Sequence, residues 1–195
     1  MEKFSGKEKI ALVIFGLILL AIVIQVAVRI NIFNPPAPPW RVVEDAELDL
    51  SGNLLTEPGI VLDASSRNED SQVVEKLKDG KPNTFWHVAL DRLGEPAWVT
   101  IDFGEGNKKT VRALMAQPRN NIPRQFFRTA ELLGSDNGED WEPVAGIVQW
   151  GTPDNSKWRR WDFANDRAFR YYKLSISDGH EGGNFYSMAE LALFE

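Results

Sequence analysis

The chain has 195 residues, of which 43% are hydrophobic and 26% are charged, and it contains no cysteine. This length holds one ordinary domain with a short appendage, and the lack of cysteine excludes a disulfide framework, a thiolate metal site and a cysteine nucleophile. The net charge is −6, divided into +2 over residues 1–40 and −8 over residues 41–195. So acidic a C-terminal part makes general binding of nucleic acid or anionic lipid a poor hypothesis.

The first predicted element is a membrane-spanning helix. The segment from Ile10 to Val28 carries no charge, and Gln25 is its one strongly polar side chain. A helix of this length spans about 28 Å, close to the hydrocarbon thickness of a bilayer. A cleaved signal peptide is the alternative, but its apolar region would be about 7–15 residues long with a small-x-small site behind it. We therefore predict an uncleaved signal anchor over residues 10–30.

Basic residues set the predicted orientation of this helix. Three lysines precede it, whereas Arg29 and Arg41 follow it closely. The positive-inside rule then leaves residues 1–9 in the cytoplasm and the C-terminal domain outside it. The exported part contains no Asn-x-Ser/Thr sequon, which fits a bacterial periplasm. We expect a single-pass protein of a bacterial inner or plasma membrane with a periplasmic or extracellular domain.

A spacer is predicted over residues 31–59. Four prolines between Asn34 and Pro39 favour polyproline II, and an acidic lead-in follows over residues 44–49. Trp40, directly after the prolines, is expected at the headgroup level. Trp40 and Gln25 are candidate contacts with other membrane subunits, although for Gln25 the simpler alternative is exposure to water at the outer interface.

The rest of the chain, residues 60–195, predicts a single all-β domain. Residues 97–103 alternate, with their apolar side chains on one face. The dipeptide Asn137-Gly138 is a strong hairpin signal. Further short strands are predicted at 110–116, 129–133, 141–148, 159–163, 171–177 and 188–194. Seven or more short strands without a long amphipathic helix indicate a β-sandwich.

Five segments in order carry a family resemblance. They are Ala64-Ser65-Ser66, Leu77–Trp86, Trp98–Gly104, Glu131–Trp141, and Tyr171–Leu174 with the closing Ala189–Leu191. In order and spacing they resemble the discoidin or coagulation-factor type C family (F5/8 type C) of galactose-binding-like jelly rolls. The cysteine pair of many animal members is missing, so the chain is more similar to bacterial carbohydrate-binding-module-like relatives. The resemblance implies an eight-stranded jelly-roll sandwich that binds rather than catalyses.

The resemblance also implies a candidate calcium site. Asp79, Thr84 and Glu190 match positions that hold a structural Ca²⁺ in many bacterial relatives, and their oxygens are the hard ligands that this ion prefers. In the alternative interpretation, Asp79 caps the turn at Gly80 and no metal is bound. No other cofactor is expected.

A candidate sugar site is implied at the loop end of the sandwich. An arginine fork and an amide beside an exposed ring can bind sugar hydroxyls and cover an apolar sugar face. Ordinary loop packing is the alternative for all of these residues. The candidate ligand-binding residues are Arg119, Asn120, Asn121, His87, Phe185 and Tyr186.

Two function classes remain, and neither is catalytic, because the sequence shows no Gly-x-Ser-x-Gly, His-Glu-x-x-His or phosphate-loop motif. The first is an accessory or stabilising subunit of a membrane protein complex, with Trp150 and Trp158 as docking candidates because they flank a loop. The second is a membrane-tethered carbohydrate-binding, lectin-like module. We favour the first, because a lectin module usually accompanies an enzyme in the same chain, and this chain shows none.

Overall fold

The computed structural model describes residues 40–88, 97–180 and 185–195. The predicted anchor, with Gln25, and the proline run lie outside these ranges. No helix within them is long and apolar enough to cross a bilayer. The described ranges contain eleven strands: β1 Trp40–Val42, β2 Val61–Ala64, β3 Trp86–His87, β4 Ala97–Asp102, β5 Ala113–Gln117, β6 Phe127–Ser135, β7 Glu142–Val148, β8 Arg159–Asp162, β9 Tyr171–Gly179, β10 Ser187–Met188 and β11 Glu190–Phe194.

The strands form two antiparallel sheets and a short ribbon. One sheet has the order β1-β8-β5-β11, the other has the order β2-β4-β9-β6-β7, and β3 pairs with β10. The predicted all-β sandwich is therefore confirmed for the described residues. Eleven strands are three more than the expected eight, and three of the eleven, β1, β3 and β10, are only two or three residues long.

The main core lies between the two sheets. Val99 and Ile101 of β4 and Leu174 of β9 meet Leu114 of β5 and Trp161 of β8, all of them completely buried. Burying each such side chain contributes about 1.5–3 kcal/mol relative to leaving it exposed. The Trp161 indole also donates to the Val148 carbonyl oxygen at 2.9 Å, so its buried N–H is satisfied.

A second apolar cluster lies on the outer face of the four-stranded sheet. Met115 of β5 and Ala192 and Phe194 of β11 point away from the main core and pack with Val43 and Trp158. Because both faces of this sheet are covered, β5 and β11 are almost uninterrupted runs of buried residues.

Residues 43–56, which contain the acidic stretch 44–49 and are called the lead-in from here on, provide part of that cover. The sandwich therefore begins upstream of residue 60, the predicted start of the domain. Strand β1 pairs with β8, and Trp40 is half-buried against the main core rather than free for a headgroup layer. Asn53 Oδ1 accepts hydrogen bonds from Leu55 N at 3.1 Å and Leu193 N at 3.2 Å. The acidic side chains of the lead-in are exposed, whereas Val43, Leu54 and Leu55 at its two ends are buried.

Several loops lie at the same end of the sandwich. The register pairs Gln117 with Glu190 and Ala116 with Arg159 in one sheet, and Thr129 with Val148 in the other. Loops 118–126 and 149–158 connect the sheets at this end. The predicted calcium and sugar residues all belong to segments that meet here.

Candidate functional site

Arg119 is the centre of a side-chain cluster at the loop end. It follows β5 directly after Pro118 and is only 9% exposed. Its Cζ lies 3.7 Å from the centroid of the Phe85 ring. Its Nε donates to Asn121 Oδ1 at 2.7 Å, and its Nη1 donates to Gln125 Oε1 at 3.0 Å. The guanidinium is thus oriented by an aromatic face and two neutral amides, and desolvation lowers its pKa.

His87 is the second polar member of this cluster. The prediction placed it in a loop, but it lies in β3 and is 4% exposed. Its Nδ1 is 2.6 Å from the Val88 carbonyl oxygen, which can only accept, so Nδ1 carries the proton. Gln125 hydrogen-bonds both His87 and Arg119. Burial lowers the pKa of His87, which keeps the imidazole neutral at pH 7.

The β3–β10 ribbon brings Phe185 and Tyr186 beside His87. Val88 N donates to the Tyr186 carbonyl oxygen at 3.1 Å, and Ser187 pairs with His87. The Tyr186 ring is only 2% exposed, and a Cβ on Gly179 would lie 2.8 Å from it. Tyr186 is therefore a core residue, which corrects its prediction as a ligand contact. Phe185 keeps part of its surface in solvent.

Two members of the cluster were not predicted. Phe85 directly precedes Trp86, which is completely buried, and adjacent side chains of an extended chain point to opposite sides, so Phe85 remains partly exposed. Gln125 ends a short 3-10 turn that starts at Pro123. That proline gave a usable signal for the turn, but nothing in the sequence indicates that Gln125 reaches Arg119. Asn120 is exposed beside the cluster.

The predicted calcium residues do approach one another. Thr84 Oγ1 lies 2.9 Å from both Asp79 carboxylate oxygens and 2.9 Å from the Lys81 carbonyl oxygen. Asp79 also accepts from Lys81 N at 3.0 Å, which is the bond expected of a turn-capping aspartate. The metal and capping interpretations therefore use the same turn.

Glu190 supplies the observation that bears on a metal. It is 5% exposed, and its Oε1 has no hydrogen-bond partner among the described residues. Burial and the neighbouring Asp79 carboxylate raise the pKa of Glu190 to about 7. Among the described residues no group of three or more histidine and acidic side chains could hold a metal ion. Two carboxylates and a hydroxyl still fit Ca²⁺, whose charge would hold the turn without entering any reaction.

The two tryptophans predicted for docking differ. Trp150 is 72% exposed, whereas Trp158 is 7% exposed and belongs to the outer-face cluster, which corrects its prediction as a docking residue. The backbone of the loop between them is held by hydrogen bonds from neighbouring buried side chains. Gln149 Nε2 donates to the Gly151 carbonyl oxygen at 2.9 Å, and Arg159 Nη1 donates to the Asn155 carbonyl oxygen at 3.2 Å and to that of Lys157.

Solved structures share this architecture. A family 32 carbohydrate-binding module of a Clostridium perfringens GH89 protein, in complex with GalNAc-β-1,3-galactose, is 24% identical, with a TM-score of 0.60 over 70% of this chain and 95% of that one. The family 32 module of C. perfringens NanJ, in complex with galactose, is 23% identical, with a TM-score of 0.57 over 70% and 93%. The paired CBM32 domains of C. perfringens ZmpB, in complex with GalNAc, are 16% identical, with a TM-score of 0.64 over 83% of this chain and 40% of theirs.

These identities establish the shared fold and nothing finer. No curated protein sequence matches the chain. The family model for the F5/8 type C domain matches residues 62–191, which include both the Arg119 cluster and the Asp79–Glu190 turn and leave the lead-in outside. The chain therefore belongs to the F5/8 type C domain family.

Proposed function

We propose that the loop end of the domain binds a carbohydrate through Arg119, His87 and Asn121, with the partly exposed ring of Phe185 against the apolar face of the sugar. The observation that carries this proposal is the position of Arg119. Its guanidinium is held over Phe85 by two amides, and none of its hydrogen-bond partners in the described ranges is a carboxylate. Its remaining N–H groups can therefore be offered to hydroxyl groups in a fixed geometry.

The chemistry of Arg119 suits sugar hydroxyl groups. A hydrogen bond to a charged donor is worth about 1.5–3 kcal/mol, and a preorganised donor loses little conformational freedom on binding. The structural relatives were solved with galactose, GalNAc and GalNAc-β-1,3-galactose. These three sugars are therefore the ligands to test first. The Arg119 geometry and the sugar-bound relatives together support the carbohydrate-binding alternative over the accessory-subunit hypothesis.

The test is isothermal titration calorimetry of the full-length protein with the three sugars in calcium-containing buffer. We expect Arg119→Ala to weaken binding at least tenfold. The matched control is Arg112→Ala, since Arg112 is exposed and precedes β5 at the opposite end of that strand. Failure of the unmodified protein to bind any sugar on a broad glycan array would refute the proposal. Equal losses of sugar affinity in the two variants would show that Arg119 does not bind the sugar.

We also propose that residues 10–30 anchor the protein, with residues 1–9 in the cytoplasm and the domain in the periplasm or outside the cell. The uncharged segment and the three preceding lysines support this proposal. Alkaline carbonate extraction and protease treatment of spheroplasts test it. Release by carbonate, or protection of the domain from external protease, would contradict it.

Docking onto a membrane complex is the second candidate function, and Trp150 is the observation that favours it. An indole that is 72% exposed on an internally fixed loop suits a protein contact. Mild-detergent extraction, a native gel and mass spectrometry of the band test this hypothesis. We expect Trp150→Ala to release the protein from a large assembly and Arg119→Ala to leave it there, whereas migration of the unmodified protein alone would refute docking.

A further inference from the structure

Strand β1 fixes the side from which the chain enters the domain. Trp40 pairs with Trp161 of β8, and Val42 pairs with Arg159, so β1 runs toward Arg159. Arg159 is at the loop end, because it pairs with Ala116 near the last residue of β5. The residues before Trp40 therefore join the domain from the side opposite the loop end.

The proposed sugar site lies beyond this entry point, along the direction of β1. Trp40 and Leu114 are at the same level of the sheet, because both pair with Trp161. A strand rises about 3.4 Å per residue, so the step from Leu114 to Gln117 covers about 10 Å, and Arg119 follows Gln117 in the chain. The Arg119 cluster is therefore about 10 Å or more from Trp40, on the side away from the preceding chain.

The sequence allows only a short spacer between the proposed anchor and Trp40. Residues 31–39 reach at most about 30 Å, at roughly 3.3–3.6 Å per extended residue. Residues 34–39 include four prolines, and a proline-rich run extends at about 3.1 Å per residue and turns little. A run of this kind that continues the line of β1 would cover about 19 Å, and residues 31–33 could then return by only about 10 Å.

We propose that this entry point and the short spacer restrict the domain to glycans in trans, on a surface other than the membrane that holds residues 10–30. The inference rests on the proposed carbohydrate site and on the proposed anchor. A glycolipid in the same membrane and a polysaccharide on an opposed surface present the same hydroxyl groups to Arg119. They differ in position, because the chain enters on one side of the domain and the Arg119 cluster lies on the other.

The effective concentration of sugar explains the selectivity. A linker that cannot span the distance between two sites gives an effective concentration near zero, however dense the ligand is on the surface. Sugar headgroups of the same membrane would therefore leave the Arg119 cluster unoccupied. The site would remain available for an opposed wall polymer or cell surface.

The experiment uses the full-length protein in liposomes, prepared with and without a galactose-bearing lipid in the same membrane. The liposomes are immobilised sparsely, so that they cannot capture one another, and fluorescent acceptor vesicles that carry the galactose lipid but no protein are added. We expect the immobilised protein to capture the acceptor vesicles and excess soluble galactose to release them. Galactose lipid in the protein's own membrane should change this capture less than twofold.

A lengthened spacer provides the matched variant. Insertion of about 20 Gly and Ser residues between Pro39 and Trp40 adds a flexible segment with a root-mean-square length of about 25 Å, enough for the domain to turn toward its own membrane. Galactose lipid in that membrane should then reduce the capture of acceptor vesicles at least threefold. The Arg119→Ala variant should capture no vesicles with either spacer.

Three outcomes would overturn the proposal. The first is an equal reduction of capture in the original and the lengthened protein by galactose lipid in their own membranes. The second is no reduction in the lengthened protein, because the spacer would then not be the limit. The third is no capture by a protein that binds soluble galactose in the calorimeter. Absence of calorimetric binding would instead refute the carbohydrate site itself, and this inference with it.

Discussion

The two sheets of the sandwich differ in what lies on their outer faces. The outer face of the four-stranded sheet carries Met115, Ala192 and Phe194 and is covered, in part by the lead-in. The outer face of the five-stranded sheet carries half-exposed Trp98, Thr100 and Lys173. The same sandwich therefore has one face built as a core and one built for solvent. The comparison shows that the lead-in, although it lies outside the family match of residues 62–191, is part of the folded domain.

The largest expected effect comes from removing an outward side chain on the covered face. Met115→Ala should lower the free energy of unfolding by about 2–5 kcal/mol, because it opens a cavity in a packed cluster. Thr100→Ala, at an outward position of β4, should cost less than about 1 kcal/mol. Urea unfolding of both variants measures the contrast, and equal costs would show that the four-stranded sheet is not covered in solution.

Buried Glu190 should give the covered face an unusual pH dependence. Its unfolded carboxyl ionises near 4.5 and its folded carboxyl near 7, so the folded state holds a proton that the unfolded state has lost. In EDTA the stabilisation is therefore complete below about pH 4.5 and falls by about 3 kcal/mol as the pH rises to 7 and above.

Added Ca²⁺ and the Glu190→Gln variant test the predicted pH dependence of stability further. Saturating Ca²⁺ should raise the midpoint of thermal unfolding at pH 8, since the ion compensates the Asp79 and Glu190 charges. In EDTA at pH 8, Glu190→Gln should be more stable than the unmodified protein, and in Ca²⁺ it should be less stable. If EDTA and Ca²⁺ give the same midpoint, the calcium hypothesis fails and Asp79 is a turn cap alone.

Next in size is the attachment of the lead-in. Asn53→Ala should cost about 1–3 kcal/mol, because the buried Leu193 N–H loses its acceptor. The control is Asp49→Ala, whose carboxylate accepts from Ser51 N at an exposed site and should matter less. Thermal unfolding of the two variants decides between a structural lead-in and the predicted spacer, for which both substitutions would be neutral.

Asp102 on the solvent-facing sheet should respond to pH in the opposite direction to Glu190. The Arg170 guanidinium, at 2.8 and 2.9 Å, lowers the pKa of Asp102 below its ordinary value of 3.8. The stabilisation is then present above pH 3.8 and is lost as the pH falls through the lower folded value. Asp102→Asn should flatten the acid limb of the stability curve and leave the limb between pH 4.5 and 7 unchanged, and the reverse pattern would contradict this assignment.

The smallest effect concerns Lys173, whose Nζ lies 3.8 Å from the Trp141 ring centroid and 5.8 Å from that of Trp98. Removing the cation with Lys173→Gln should cost about 0.5–1 kcal/mol. A double-mutant cycle with Trp141→Leu isolates the pair from general packing effects. A coupling energy indistinguishable from zero would show that the Lys173 cation gains no stabilisation from the Trp141 ring.

The alternating strands were the most predictable part of the fold. In β4 and β9 every second residue is apolar, and each strand was located to within two residues of its bounds. In β5 and β11 the apolar run is continuous, a pattern that indicates burial on both faces. Burial on both faces implies that another segment covers the outer face of this sheet. The apolar residues of the lead-in are the candidates for that cover.

The candidate site was predictable to a lesser degree. Arg119 and Asn121 are close in sequence, so a local pattern predicts them together, whereas among the described residues His87 is connected to Arg119 only through Gln125. The sequence predicts Tyr186 and Trp158 at the surface, because an aromatic residue near a loop gives no sign of where its ring packs. The role of Gln125 depends on a tertiary contact with Arg119, which no local pattern encodes.

Strand β1 has a mechanical consequence. It is a three-residue edge strand, and any tension on residues upstream of Trp40 enters the domain through its pairing with β8. The lead-in follows β1 along the chain, so a pull from the N-terminal side would peel away β1 and then the cover of the outer face. The Arg119 cluster, attached to β5 and β3, lies later on that route. A tethered domain of this design would give way at its attachment while its loop end kept its shape.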